Sequence, residues 1–184
     1  DPYEFRLMNI LKPGDVSPIG ESWDGIRAEE TLREAAAAAN WGDKKKSLHT
    51  GRGIAIADQS QGSGQSEASV AIDNNGIVTL YMSLWDTGTG ASTVMRQIVA
   101  EALRVPVNDV NIQIRNTDAI DFESGPGGSR VTYTAGQAAL GAANLLRGRL
   151  ALLAAEYLGT QAEVVEQAED GSFFDKDRKD TLLP

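Results

Sequence analysis

The stretch Ile77-Val78-Thr79-Leu80-Tyr81-Met82-Ser83-Leu84-Trp85-Asp86-Thr87-Gly88-Thr89-Gly90-Ala91-Ser92-Thr93 joins a β-rich segment to a glycine turn and then to a helix. Its first seven residues are rich in β-branched and aromatic side chains, which favour a strand. The apolar residues from Val94 to Arg104 recur at helical spacing. A second glycine-rich loop, residues 124–130, leads into an alanine- and leucine-rich segment that predicts a long helix from Tyr133 to Leu158. The order of strand, glycine turn and helix is therefore expected twice.

The segments before this stretch change from helical to strand-like patterns. Apolar residues at helical spacing predict a short first helix over residues 3–11, and the alanine run within residues 29–40 predicts a second. Residues 41–50 form a polar connector that contains the basic run Lys44-Lys45-Lys46 and the sole histidine, His49. Both features are expected to be solvent-exposed rather than functional.

A period of two in the apolar residues predicts strands on both sides of a tight turn. Residues 52–57 and 67–73 are expected to be strands, and Asp73-Asn74-Asn75-Gly76 is a turn whose Asn-Gly pair favours positive φ. We therefore expect an antiparallel hairpin between residues 67–73 and 77–83. Residues 110–114 alternate as a further strand.

These patterns predict an α+β fold in which mixed short β-sheets are flanked by helices. The expected division is an N-terminal helical segment and connector (1–50), a central α+β domain (51–160) and a tail (161–184). The tail contains a possible hairpin around Asp170-Gly171 and then a charged run, for whose last residues we predict no regular structure. The missing initiator methionine suggests a fragment of a longer chain.

Composition limits the possible functions. The formal net charge of −9 opposes binding to nucleic acid or to an anionic membrane, because both need a basic surface. No stretch is expected to be long and apolar enough to span a bilayer. The absence of cysteine excludes thiolate catalysis and cysteine ligation of iron–sulfur clusters or zinc within this chain. A redox centre must therefore be bound as a separate group.

The two glycine loops are the candidate binding sites. A glycine loop that opens a helix offers unpaired N–H groups and the positive end of the helix dipole, both of which stabilise an anionic group such as phosphate. Arg130 can add a charge-assisted hydrogen bond, and hydroxyl donors are supplied by Thr87, Thr89, Ser92, Thr93 and Ser129. The alternative is that the glycines only permit sharp turns and that the hydroxyl residues cap helices. The residues alone leave both interpretations open.

Familiar catalytic and nucleotide motifs match poorly. Residues 88–93 carry two of the three dinucleotide-fingerprint glycines, with Asp109 at a suitable distance, but the neighbouring strands do not predict a clean parallel βαβ unit. A Walker-type Gly-Lys-Ser/Thr sequence is absent. Asp121 and Glu123 flank the second loop and are expected to be solvated. We therefore assign no catalytic residue.

Several segments match, in the correct order, motifs that one known family combines. They are DP-x-E-x-R-x-x-N at residues 1–9, GRGIA at 51–55, GQG-x-x-T…QI-x-AE-x-L at 86–103, V…DT…G-x-x-SR at 110–130, and Gly136-Gln137-Ala138 with Ala142-Ala143 in the helix that follows. In these motifs the chain resembles the molybdenum hydroxylases, the xanthine dehydrogenase and aldehyde oxidoreductase group. The resemblance covers residues 1 to about 159.

The resemblance implies a cofactor-binding role. In this family the two glycine loops contact molybdopterin, with or without a cytosine dinucleotide extension, which here implies contacts from Gly88, Thr89, Gly90, Gly127, Gly128, Ser129 and Arg130. It implies no metal ligand, because the family's molybdenum is held by dithiolene sulfur and oxo or sulfido groups. The implied function is oxidative hydroxylation of an aldehyde or N-heterocycle. The implied partners are the rest of the molybdenum subunit, iron–sulfur and FAD subunits or domains, and a small-molecule substrate, in the cytoplasm.

Two departures from the family pattern limit this interpretation. Thr89 stands where the family usually has glutamine, so the amide contact to the cofactor is lost or replaced by a hydroxyl. The family's earlier glycine-rich cofactor segment and its later G-x-G-E motif, whose glutamate acts as base, are missing. The fragment alone is therefore not expected to be catalytically complete. The alternatives are a non-catalytic interaction or scaffold domain derived from such a subunit, and a stand-alone nucleotide-binding module.

Overall fold

The computed structural model describes residues 1–43, 48–59 and 61–183. The chain divides into two compact units, residues 1–59 (unit 1) and residues 60–184 (unit 2). The domain boundaries predicted from the sequence, at residues 50 and 160, stay predictions. The basic run at residues 44–46 lies outside the described residues.

Unit 1 contains two helices joined by a long loop. Helix α1, Pro2–Asn9, begins at Asp1, whose carboxylate accepts a hydrogen bond from the Tyr3 N–H at 2.6 Å. Proline suits this first helical position because its missing N–H is not needed there. Helix α2, Ala28–Ala38, is the alanine run and buries Leu32 and Ala36. Both helices were predicted, and both predictions are confirmed.

The predicted strand at residues 52–57 is wrong, because no described strand lies there. The Arg52 guanidinium instead donates to the carbonyls of Ala39 and Asn40, just beyond α2, and lies 5.4 Å from the centre of the Trp41 ring. The Ala39 carbonyl lies beyond the last helical turn, where a nearby cation can satisfy it, and the Asn40 carbonyl also accepts from the Asp43 N–H at 3.0 Å. The alternating apolar pattern finds no strand partner among the described residues of unit 1.

Unit 2 is built on a three-stranded sheet in the order β1-β2-β3. Strands β1, Ala68–Ile72, and β2, Val78–Met82, are antiparallel and joined by the predicted turn, in which Gly76 has φ +80°. The predicted hairpin is confirmed. Strand β3, Val110–Ile114, pairs with β2 in parallel, with Val78 opposite Val110 and Met82 opposite Ile114.

The parallel pair corrects one sequence-based expectation. Helix α3, Ala91–Leu103, connects β2 to β3, so these elements form the parallel βαβ unit that the sequence pattern did not predict. The strand pairing depends on which edge of β2 is free, and β1 occupies only one edge. The carboxyl ends of β2 and β3 consequently lie at the same end of the sheet.

Helix α3 and the long helix α4, Val131–Leu158, pack against each other and enclose the core with the sheet. The fully buried members of this core come from β2, β3 and both helices: Val78, Leu80, Met82, Met95, Val99, Val110, Ala135, Ala139 and Ala143. Alanines on α4 allow a close approach to α3. A Cβ on Gly136 would lie 3.0 Å from the Ile98 Cδ1 atom, which shows how close that approach is.

A second three-stranded antiparallel sheet packs against α4. It contains β4 (Val165–Gln167), β5 (Phe173–Asp175) and β6 (Arg178–Leu183). The predicted hairpin at residues 170–171 is confirmed, but the expectation of no structure after it is wrong. The buried carboxylate of Asp175 accepts hydrogen bonds from the Asp177 N–H and the Arg178 Nε, which stabilises the turn into β6.

Helix α4 also differs from the expectation that no segment could span a membrane. By length and composition alone its 28 residues meet that requirement, with 22% of the most apolar part buried in the structure. Large apolar side chains are exposed along it, among them Leu145, Leu152, Leu153 and Tyr157. The core helix of a soluble protein passes the same test, so a membrane role does not follow.

Gly141 on this helix provides a stability prediction. It is exposed, and a Cβ at this position meets no atom within 4 Å. Alanine has the higher helix propensity, so Gly141→Ala is expected to raise the free energy of unfolding by about 0.5–1 kcal/mol. Urea unfolding followed by circular dichroism measures this change. Gly136→Ala is the contrasting variant, because its new methyl group presses on Ile98, and an equal gain there would contradict the close helix packing.

Candidate functional site

Both glycine loops lie at one end of unit 2. The first loop, residues 83–90, follows β2, and the second, residues 124–130, follows β3 after a short connection. Gly136 of α4 lies beside Met95 and Ile98, while Arg147 donates to the Ala102 carbonyl farther along α3. Later residues of α4 thus meet later residues of α3, so the two helices run in the same direction. Their N-termini and the carboxyl ends of the parallel strands lie at the same end of the sheet. In α/β sheets this is the end at which ligands bind.

In the first loop, the carboxylate of Asp86 accepts hydrogen bonds from three backbone N–H groups. Its Oδ1 accepts from the N–H groups of Gly88 (2.9 Å) and Gly90 (3.1 Å), and its Oδ2 accepts from that of Ser92 (3.3 Å). Desolvation opposes ionisation of Asp86, but these hydrogen bonds outweigh it and hold the pKa of the carboxyl below its usual value. The helix dipole favours the same charge.

This arrangement changes the predicted role of Gly88 and Gly90. Their N–H groups, which sequence analysis assigned to the cofactor, are already hydrogen-bonded within the loop. The side chains of Thr87 and Thr89 are exposed beside them, and no described hydrogen bond uses their hydroxyl groups. The Thr87 and Thr89 hydroxyls are therefore open to a ligand, whereas the N–H groups of Gly88 and Gly90 are not.

In the second loop, Arg130 fastens the backbone. Its Nε donates to the Gly125 carbonyl at 2.8 Å, its Nη1 to the Ser63 carbonyl at 2.8 Å, and its Nη2 to the Ser124 carbonyl. Sequence analysis predicted that Arg130 binds an anion directly. The structure shows a residue that fixes the loop, with two of its five N–H groups outside the described hydrogen bonds.

A third glycine segment, residues 61–66, lies against the second loop and was missed in the sequence. The Gly62 N–H donates to the Gly128 carbonyl at 2.7 Å, and Gln65 and Ser124 bond to each other through N–H, carbonyl and hydroxyl groups. A Cβ on Gly62 would stand 2.4 Å from the Gly127 carbonyl oxygen, and one on Gly64 would stand 2.2 Å from the Ser124 Oγ. Glycines at two alternate positions, 62 and 64, were the signal that could have revealed it.

Glu123 is not the solvated residue that was expected. Its Oε1 accepts from the Ser66 hydroxyl (3.1 Å) and the Gly125 N–H (2.9 Å), while its Oε2 is buried and without a hydrogen-bond partner among the described residues. This side chain holds residues 61–66 against the second loop. Asp121 remains exposed, as predicted, although its N–H donates to the Glu67 carboxylate at 2.7 Å.

The N-terminus of α4 differs from that of α3, where Asp86 accepts from backbone N–H groups, because no side chain of the described residues caps it. The first intrahelical bond comes from the Thr134 N–H to the Arg130 carbonyl. The N–H groups of Gly128, Ser129 and residues 131–133 take part in no described hydrogen bond. Such groups at the positive end of a helix suit an anion. Within residues 1–43, 48–59 and 61–183, no group of three His, Asp or Glu residues could hold a metal ion.

Comparison with known proteins identifies the family of this chain. The model of the molybdopterin cofactor-binding domain matches residues 27–183. A putative xanthine dehydrogenase molybdenum-binding subunit of Escherichia coli (strain K12) is 30% identical over 88% of this chain and 23% of its own length. A probable hypoxanthine oxidase of the same strain is 29% identical over 91% of this chain and 18% of its own length.

Solved structures agree with this similarity and confirm the predicted α+β class. The Cu,Mo-CO dehydrogenase matches with a TM-score of 0.62 at 21% identity, and quinoline 2-oxidoreductase from Pseudomonas putida 86 with a TM-score of 0.61 at 25% identity. Each match covers 100% of this chain and 26% of the solved chain. The chain thus spans about a fifth to a quarter of the length of its relatives. It belongs to the molybdopterin cofactor-binding domain family and is homologous to part of the large subunits of molybdenum hydroxylases.

Proposed function

We propose that this chain is the part of a molybdenum hydroxylase large subunit that holds the anionic end of molybdopterin, in an enzyme that hydroxylates an aldehyde or N-heterocycle. The observation that carries the proposal is the uncapped N-terminus of α4 beside the second glycine loop. Its free N–H groups are the donors that a phosphate requires, and the family of the chain supplies the identity of the ligand.

The residues present suit this cofactor at the second loop. Gly128 and Ser129 would offer N–H groups, Ser129 also its hydroxyl, and Arg130 its two remaining guanidinium N–H groups, while Gly127 leaves space for close approach. At the first loop, Thr89 would offer a hydroxyl where the family has a glutamine amide. Gly88 and Gly90 would shape that loop rather than donate to the cofactor, because Asp86 uses their N–H groups.

The bound group would supply the molybdenum centre that transfers oxygen from water and accepts electrons from the substrate. This chain's residues would orient it by holding its phosphate, with or without a cytosine dinucleotide extension. We further propose that the remainder of the large subunit completes the site and supplies the base, that iron–sulfur and FAD subunits or domains receive the electrons, and that the assembly is cytoplasmic.

Metal and pterin analysis tests this proposal. The full-length subunit that carries this sequence, purified from a molybdenum-replete host, is expected to contain close to one molybdenum and one pterin per polypeptide. The isolated 184-residue chain is expected to retain much less, because only part of the cofactor's surroundings is present. A full-length subunit without molybdenum or pterin would contradict the proposal and favour a scaffold domain. Millimolar nucleotide binding by the isolated chain in calorimetry would favour a nucleotide-binding module.

A further inference from the structure

The carboxylate of Asp86 lies where an external anion would bind the N-terminus of α3. Three backbone N–H groups, from Gly88, Gly90 and Ser92, point at its two oxygens within 3.3 Å. We propose that Asp86 is a positioning residue: it acts as an internal anion that fixes the first glycine loop, so that this loop contacts the cofactor through hydroxyl groups and not through its N–H groups. The proposal rests on the proposed cofactor-binding function.

Charge explains why the two loops take different roles. An anionic group at the α3 N-terminus has either to displace Asp86 from three charge-assisted hydrogen bonds or to lie beside it and be repelled. No carboxylate in the described part of the chain caps the α4 N-terminus. An anionic group is therefore directed to the second loop, and the exposed hydroxyls of Thr87 and Thr89 face a less charged part of the ligand.

Asp73 provides a matched control for Asp86. Its Oδ1 accepts from the N–H groups of Asn75 (2.8 Å) and Ile77 (2.9 Å), so it ties its own turn together in the same way. This turn precedes β2, whereas the first glycine loop follows β2. The two carboxylates therefore lie at opposite ends of β2, and only Asp86 is near the candidate site.

The experiment compares the full-length subunit with its Asp86→Ala, Asp86→Asn and Asp73→Ala variants, all purified from a molybdenum-replete host. Molybdenum and pterin per polypeptide are measured together with hydrogen–deuterium exchange of residues 86–93. Asp86→Ala is expected to lower cofactor content about tenfold, as loss of a supporting hydrogen-bond partner does in other sites, and to speed exchange of residues 86–93. Asp86→Asn keeps an oxygen acceptor and is expected to retain cofactor within about twofold. Asp73→Ala is expected to retain it fully.

An increase in cofactor content in the Asp86 variants would overturn the proposal. If the cofactor displaces Asp86 and binds the α3 N-terminus, removal of the competing carboxylate raises cofactor content in Asp86→Ala and Asp86→Asn. Unchanged cofactor content or unchanged exchange in Asp86→Ala also overturns it. A wild-type subunit that contains neither molybdenum nor pterin instead contradicts the proposed function. The exchange of residues 86–93 then still decides whether Asp86 fixes the loop.

Discussion

Replacement of Arg130 by methionine is expected to lower the free energy of unfolding by about 3 kcal/mol. Three hydrogen bonds from a charged donor are lost, each of which contributes about 1.5–3 kcal/mol when water cannot replace it, and Arg130 is only half-buried, so water replaces part of them. The carbonyls of Ser63, Ser124 and Gly125 lose their guanidinium partner together. Residues 61–66 and the second loop are then expected to separate, so cofactor content should fall as well. Chemical unfolding of the isolated chain and molybdenum analysis of the full-length subunit measure the two effects.

A second variant at this position, with a control elsewhere, separates geometry from charge. Arg130→Lys keeps the positive charge but cannot reach three carbonyls, so it is expected to resemble Arg130→Met. Arg149, exposed on α4, takes part in no described hydrogen bond, and Arg149→Met should change stability by less than about 0.5 kcal/mol. If Arg130→Lys retained full stability and cofactor, Arg130 would act through its charge and not through the three carbonyl contacts.

A methyl group at Gly62 is expected to have the second largest effect. In Gly62→Ala the new Cβ would lie 2.4 Å from the Gly127 carbonyl oxygen and 3.1 Å from the Arg130 Cδ, so the backbone of the second loop has to shift. Overpacking of this kind costs about 1–3 kcal/mol. The shift also breaks the hydrogen bond between Gly62 and Gly128. Lower unfolding free energy and loss of cofactor from the full-length subunit are both expected.

Gly53→Ala serves as the control for this variant. A Cβ at Gly53 meets no atom within 4 Å, and its backbone does not need glycine. This substitution should leave stability and cofactor content unchanged within error. Equal losses in both variants, or no loss in Gly62→Ala, would mean that the contact between residues 61–66 and the second loop does not support the site.

Local sequence patterns predicted the helices well, because apolar spacing and capping residues act within a few turns. The alanine-rich helix α2 is an example, and the alternating pattern of β3 predicted that strand in the same way. The pairing of strands could not be predicted in this way. Residues 52–57 have an alternating pattern but no partner, whereas β2 and β3 pair in parallel across an intervening helix. Such pairing is decided by contacts between residues distant in sequence.

The positions of the two main glycine loops were predictable from the sequence, but the direction of their hydrogen bonds was not. Asp86 follows a strand and precedes a glycine turn, which gives no sign that its carboxylate binds three N–H groups. The loop-fixing contacts of Arg130 could not be predicted, because the carbonyls that it binds include that of Ser63, which is distant in sequence. Residues 61–66 were missed for the same reason.

Hydrogen–deuterium exchange of the full-length subunit with and without bound cofactor tests most directly whether the second loop holds it. Peptides covering residues 124–133 are expected to exchange about tenfold more slowly in the loaded subunit, because the free N–H groups at the start of α4 then have acceptors. Residues 86–93 are expected to change less, since Asp86 already binds three of their N–H groups. Equal exchange of residues 124–133 in both states, in a subunit with full molybdenum content, would contradict the proposed role of this loop.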